Sequence, residues 1–149
     1  MWFGRSRAPP TKRADLYSWA VRQADLLRAR LLSEIDPVAI AEEIDDAGEE
    51  EYYRLESALR VVMLHLLKWD HQRDRRSRSW LLSIHEDRRR VHRQLRWSPG
   101  LKSQLDEALE AAYEASSETG LPLKTFSHKR PFDYTEVTER PVAWAGDDK

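Results

Sequence analysis

The sequence contains no cysteine. That absence excludes disulfides, thiolate metal sites and a cysteine nucleophile together, and it fits a reducing cytoplasm. Glycine is scarce, five in 149 residues, and most of the seven prolines lie towards the two ends, so the middle is free to form long helices. No apolar run approaches the roughly 18 residues needed to cross a bilayer, so no membrane partner is expected. The first ten residues carry positive charge without a following apolar segment, unlike a secretory signal. Charge of one sign is lacking too. The net charge of −1 exerts no overall pull towards nucleic acid or acidic membranes. Neither His-Glu-x-x-His nor the Glu-x-x-His pairs of di-iron bundles occurs, no cofactor motif is present, and no strand-like alternation appears. With no catalytic signature, the balance lies against an enzyme and no cofactor is expected.

What is present is helical. Apolar residues make up 40% of the chain and charged residues 34%, polar for one domain, but six Trp, five Tyr and three Phe supply large surfaces to bury. Residues 1–13 read as a flexible basic arm built on Arg5, Arg7, Lys12 and Arg13 around Pro9-Pro10. Asp15 caps a first helix expected to run to about Leu32, with Leu16, Trp19, Ala20, Leu27 and Leu31 on one broad face and Gln23 within it. Asp36-Pro37 restarts the chain as N-cap and first helical residue. Gly48 either kinks or divides the helix that follows. Beyond it Leu55, Leu59, Val62, Leu66 and Trp69 step by four and three, a heptad seam that marks the central helix.

Residues 70–77 are a polar link. Trp80, Ile84, Val91 and Leu95 then share one helical face. Ser98-Pro99 repeats the cap-plus-proline start, and Leu101, Leu105, Leu109, Ala112 and Tyr113 form the last long stripe, closed by Gly120 and Pro122. The remainder is Pro-interrupted, with one short helix expected near Tyr134–Thr138. Its apolar residues Leu121, Leu123, Phe126, Phe132 and Trp144 are expected to pack back. The fold class is therefore all-α: a single helical bundle of four to five main helices with an irregular C-terminal tail, forming one domain over residues 14–149.

Several stretches occur in an order that resembles a known family. They are Asp15-Leu16-Tyr17-Ser18-Trp19-Ala20, Ala41-Glu42-Glu43-Ile44, His65-Leu66-Leu67-Lys68-Trp69, Arg78-Ser79-Trp80, Ser98-Pro99 and Glu118-Thr119-Gly120-Leu121-Pro122. Together, across roughly residues 15–135, the chain resembles the bacterial helical family known as domain of unknown function 29. The resemblance implies a stand-alone helical bundle without an assigned reaction. Members commonly carry Phe-Pro and then Cys-Pro-Tyr-Thr near the end. Here residues Phe126 to Thr135 hold no cysteine, so no chemistry of that thiol operates in this chain.

Three polar features bear on function. Residues 36–56 hold nine acids and one base, a local net of −8, whereas residues 73–96 hold nine arginines and three acids, a local net of +6. These segments are expected to pair between neighbouring helices, within one subunit or across a dimer. The heptad seam and the charged patches together suit a helix-packing partner, so protein–protein interaction or self-association is the leading reading. The alternative is nucleic-acid association through the Arg-rich segment, with Arg73, Arg75, Arg76, Arg78, Arg89 and Arg93 as candidates and Trp80 or Trp97 as a stacking surface. The third reading is a metal-dependent enzyme with Glu42, Glu43 and His65 as ligands, since imidazole and carboxylates can converge inside a bundle. His85 and His92, seven apart, share one face of their helix.

Overall fold

The computed structural model describes residues 8–118 and 120–144. Arg5 and Arg7 of the basic arm, and Thr119, lie outside the described residues. Five α-helices account for most of the chain: α1 (Leu16–Arg28), α2 (Pro37–His71), α3 (Arg78–Trp97), α4 (Leu105–Ser116) and α5 (Tyr134–Glu139). Short 3-10 turns occupy Arg73–Arg75, Pro99–Gln104 and Leu123–Thr125, and no strand occurs among the described residues. The fold is all-α. Two compact units divide the chain, Met1–Gly48 and Glu49–Lys149.

In the first unit, Asp15 accepts from the backbone N–H of Ser18 at 3.0 Å and opens α1. The helix stops at Arg28, short of the expected Leu32, for a local reason. Arg30 adopts a left-handed φ of 58°. The N–H of Leu31 then reaches the Leu26 carbonyl at 2.9 Å, and that of Arg30 reaches the Leu27 carbonyl at 3.0 Å. This is a Schellman end built on an arginine where glycine is usual. Asp36 caps the start of α2 by accepting from the Ala39 N–H at 3.1 Å. The buried Gln23 side chain accepts from the N–H of Asp36 at 2.8 Å, tying α1 to that restart. Only Trp19 and Gln23 of α1 are buried. The expected broad apolar face is therefore narrower than its composition, and Leu16, Leu27 and Leu31 are exposed.

At Gly48 the helix neither breaks nor ends. Glycine lowers helix propensity by about 1 kcal/mol relative to alanine, too little to end a helix that is packed further along. The second unit contains that packed stretch. Leu55, Leu59, Val62 and Leu66 are fully buried and Trp69 nearly so, as the heptad spacing requires. Met63 and Leu67 join them, whereas Val61, Leu64 and His65 are half-buried, so enclosure is broad without being complete. Each fully buried aliphatic side chain contributes roughly 1.5–3 kcal/mol of transfer free energy. Ile84, Val91 and Leu95 from α3 and Leu109, Ala112 and Tyr113 from α4 complete the core.

The second unit also departs from the sequence pattern in places. Ser98 does not cap α4. A 3-10 turn follows it first, and its hydroxyl donates to Glu51 on α2 at 2.9 Å. In the tail, Leu121 and Phe132 are buried and Phe126 and Trp144 pack partly against the core. Leu123, expected to pack with them, is 82% exposed on its own 3-10 turn. Gly120 has a φ of 85°, the left-handed turn that glycine serves without strain. The short α5 carries a capping box in which Asp133 and Glu136 each accept from the other's backbone N–H.

Candidate functional site

Helix α3 sorts its charges by face. Ile84, Asp87, Arg88, Val91 and Leu95 are buried. Arg88 follows Ile84 by four positions and precedes Val91 by three, so it belongs to the buried stripe despite its charge. Its Nε donates to the Val137 carbonyl at 2.8 Å and its Nη2 to that of Glu136 at 3.3 Å. Burial lowers its pKa, and nearby Arg140 lowers it further. Burial likewise pushes the Asp87 carboxyl up, against the opposing pull of Arg90, which donates to it at 3.1 Å. These two buried ions escape composition-based reading because charge runs are usually solvated. The signal that could have found Arg88 is the four–three–four spacing of residues 84, 88, 91 and 95.

The opposite face of α3 forms one wall of an open groove of about 1160 Å³. Arg89, His92, Arg93 and Arg96 of α3 line it, with Lys102 from the 3-10 turn and Tyr134 from the start of α5. Glu86 is its acidic member, and Arg90 spans Glu86 at 2.9 Å and Asp87 at 3.1 Å. Among the described residues, Arg89, Arg93, Arg96 and Lys102 enter none of the ion pairs. Burial raises the Tyr134 hydroxyl's pKa, with Glu139 adding to the shift, so the wall keeps a neutral phenol.

Of the six arginines singled out for nucleic acid, Arg89 and Arg93 share this groove. Arg73, Arg75 and Arg78 are exposed at the other end of α3. Arg76 is committed elsewhere: its Nε donates to the Trp69 carbonyl at 2.8 Å, and its guanidinium lies 4.8 Å from the centre of the Trp69 ring. Sequence reasoning passed over Arg96 and Lys102, although Arg89, Arg93 and Arg96 stand at helical spacings of four and three. Of the two stacking candidates, Trp80 is half-buried between His65, 6.5 Å away edge to face, and the Lys68 ammonium at 5.7 Å. Trp97 is 81% exposed.

Four acids of the acidic segment form ion pairs among the described residues, none of them with the arginines of 73–96. In the first unit, Glu42 and Glu43 grip the Lys12 ammonium at 2.8 and 2.9 Å and keep it charged well above the ordinary lysine range. In the second, Arg54 spans Glu50 and Glu51 at 2.5 and 2.8 Å. No ion pair among the described residues of the second unit joins its acids at 49–56 to the arginines of 73–96. The link is polar instead, through Gln94 and Ser98 to Glu51. His65, in the second unit, has its Nδ1 2.8 Å from the Val61 carbonyl. Among the described residues, no three His, Asp or Glu side chains gather closely enough to hold a metal ion.

A second surface belongs to the first unit. Leu16, Tyr17, Val21 and Leu27 of α1 are exposed, as are Leu31 and Leu32 just after it. Tyr17, Val21, Leu26 and Leu31, with Arg22 and Asp25, line a shallow groove of about 540 Å³ along this helix.

The protein is all-α, carries a basic groove on α3, and has no helix long and apolar enough to cross a membrane among its described residues. The chain matches the family described as Domain of unknown function DUF29 over residues 13–141 and belongs to it. No curated protein and no solved structure matches it.

Proposed function

We propose that the protein works by protein–protein association, and that the partner docked on α1 is a second copy of the chain. The observation that carries this reading is the exposure of six large apolar side chains from Leu16 to Leu32. Tyr17, Val21 and Leu31 of these line one groove with Leu26, and an exposed apolar surface of that kind favours an interface. Arg22 and Asp25, of opposite sign, stand in that groove, and Asp25 also pairs with Arg28 of its own helix at 2.8 Å. In an antiparallel pairing of two α1 helices about a two-fold axis, Arg22 of one copy faces the partner's Asp25, and the contact is repeated by symmetry. Apolar burial supplies the affinity, because each exposed ion pair adds only roughly 0–1 kcal/mol. The proposed setting is the cytoplasm, where a cysteine-free chain needs no oxidising compartment.

Light scattering or sedimentation across a concentration series tests the reading. A concentration-dependent dimer is expected, and Val21→Glu should return it to monomer while leaving the thermal melt of the monomer intact. Arg22→Glu should weaken the dimer modestly, and adding Asp25→Arg should restore it. A parent protein that stays monomeric at the highest attainable concentration overturns the proposal.

A further inference from the structure

We infer that the groove on α3 binds single-stranded nucleic acid, with the phosphates on Arg89, Arg93, Arg96 and Lys102 and a base stacked on Trp97. Four observations carry it. The first is charge that the fold leaves uncompensated: these four cations line one groove and enter none of the ion pairs among the described residues. Other basic residues of the same unit are spoken for, Arg54 by Glu50 and Glu51 and Arg90 by Glu86 and Asp87. Arg89, Arg93, Arg96 and Lys102 therefore concentrate positive charge in one groove of a chain whose net charge is −1.

Side-chain type is the second observation. Three of the four are arginines, whose planar forks match phosphate oxygens two at a time. The third is spacing. Arg89, Arg93 and Arg96 follow one another along α3 at roughly 4.5–6 Å of axial rise, a ladder suited to consecutive phosphates of one extended strand. The fourth is aromatic. Trp97 ends α3 one residue beyond Arg96, on the same outward half of the helix as Arg93, and is 81% exposed. An indole so exposed beside a row of cations suits sequence-tolerant base stacking. Tyr134, a neutral phenol in the groove wall, adds an apolar ring with a hydrogen-bonding tip. An acidic protein segment would use the cations but would leave the exposed indole without a role.

The groove lies wholly within the second unit and shares no residue with the surface named for self-association, so either proposal can fail alone. The experiment is fluorescence anisotropy of the full chain with labelled deoxythymidine and uridine oligomers of about twelve nucleotides, one OB-fold-sized site, over a salt series. Binding is expected, with a log–log salt slope of about −3 for four phosphate contacts at roughly −0.7 each. Arg89→Ser with Arg93→Ser should reduce the slope by about 1.4. Trp97→Ala should lower affinity about tenfold with the slope unchanged. All three positions are exposed, and a far-UV melt verifies that each variant folds. No binding at low salt overturns the inference. So does tighter binding to duplex of the same length, which would exclude the single-strand geometry. Equal binding of a polyglutamate chain, with Trp97→Ala without effect, also overturns it and points to an acidic protein instead.

Discussion

The guanidinium of Arg88 closes the carbonyl end of α5, donating through Nε to Val137 at 2.8 Å and through Nη2 to Glu136 at 3.3 Å. Forty-nine residues separate Arg88 from Val137. The last carbonyls of a helix have no partner within it, and a cation there also meets the negative end of the helix dipole. Arg88 is 8% exposed and enters no ion pair among the described residues, so the carbonyls it donates to are what faces its charge there. Arg88→Met, which keeps the length and removes the donors, should therefore cost about 2–3 kcal/mol in urea unfolding. Arg88→Lys should recover part of that loss. A methionine variant within about 0.5 kcal/mol of the parent would show that α5 does not depend on this contact.

Two backbone substitutions should stabilise the first unit and the helix leaving it. Arg30 holds a left-handed φ of 58°, a conformation that costs a residue with a Cβ roughly 1–2 kcal/mol. Arg30→Gly removes that strain but adds about 0.4–1 kcal/mol of unfolded-state entropy, for a net gain of about 0.5–1 kcal/mol. Gly48 lies inside α2, and a Cβ built there meets nothing within 4 Å. Gly48→Ala should add about 0.5–1 kcal/mol by propensity alone. Thermal melts of the two variants check both, and a fall in either midpoint refutes that assignment.

Glu51 predicts an acid-sensitive joint between α2 and the end of α3. The Ser98 hydroxyl and the Gln94 amide both donate to its Oε2, at 2.9 and 2.5 Å. First Ser98, then Gln94, holds its carboxyl below the ordinary glutamate value. A pKa lowered on folding means stability that is present above the unfolded value, about 4.3, and is lost as pH falls through the folded value. Glu51→Gln should therefore melt lower than the parent at neutral pH, with the difference closing under acid conditions. Parallel melting curves across the whole pH range would remove Glu51 from this role.

Arg140 grips Asp70 with both Nη atoms, Nη1 to Oδ2 at 2.8 Å and Nη2 to Oδ1. The pair joins the last turn of α2 to the residue following α5, and the Asp70 hydrogen bond is the main cause that raises the Arg140 pKa. Each side chain is about one-third exposed, so solvent screens the attraction. A double-mutant cycle of Asp70→Asn and Arg140→Gln should give a coupling of about 1 kcal/mol. Additive losses would mean that the two side chains act independently.

Much of this architecture was legible from periodicity. Leu55, Leu59, Val62, Leu66 and Trp69 are buried because a heptad of apolar residues on a helix has one face to hide, and Asp15 and Asp36 cap because their side chains reach an N–H three residues on. Local pattern also located the short α5. What it could not supply was the partner of each polar group. Ser98 looks like a cap and bonds Glu51 instead; Arg88 and Arg89 are neighbours in an arginine run, yet one is buried and the other lines the groove.

The sequence by itself determined the all-α class, the helix starts and the central buried seam, since these depend on intervals of three and four residues and on short-range capping. Only the tertiary structure decided which charges are free. Among the described residues of the second unit, the acids at 49–56 form no ion pair with the arginines of 73–96; Arg54 and Arg90 instead pair with carboxylates three and four positions away on their own helices. Arg89, Arg93 and Arg96 stand together on the outward side of α3, near Trp97, because the core claims the opposite face.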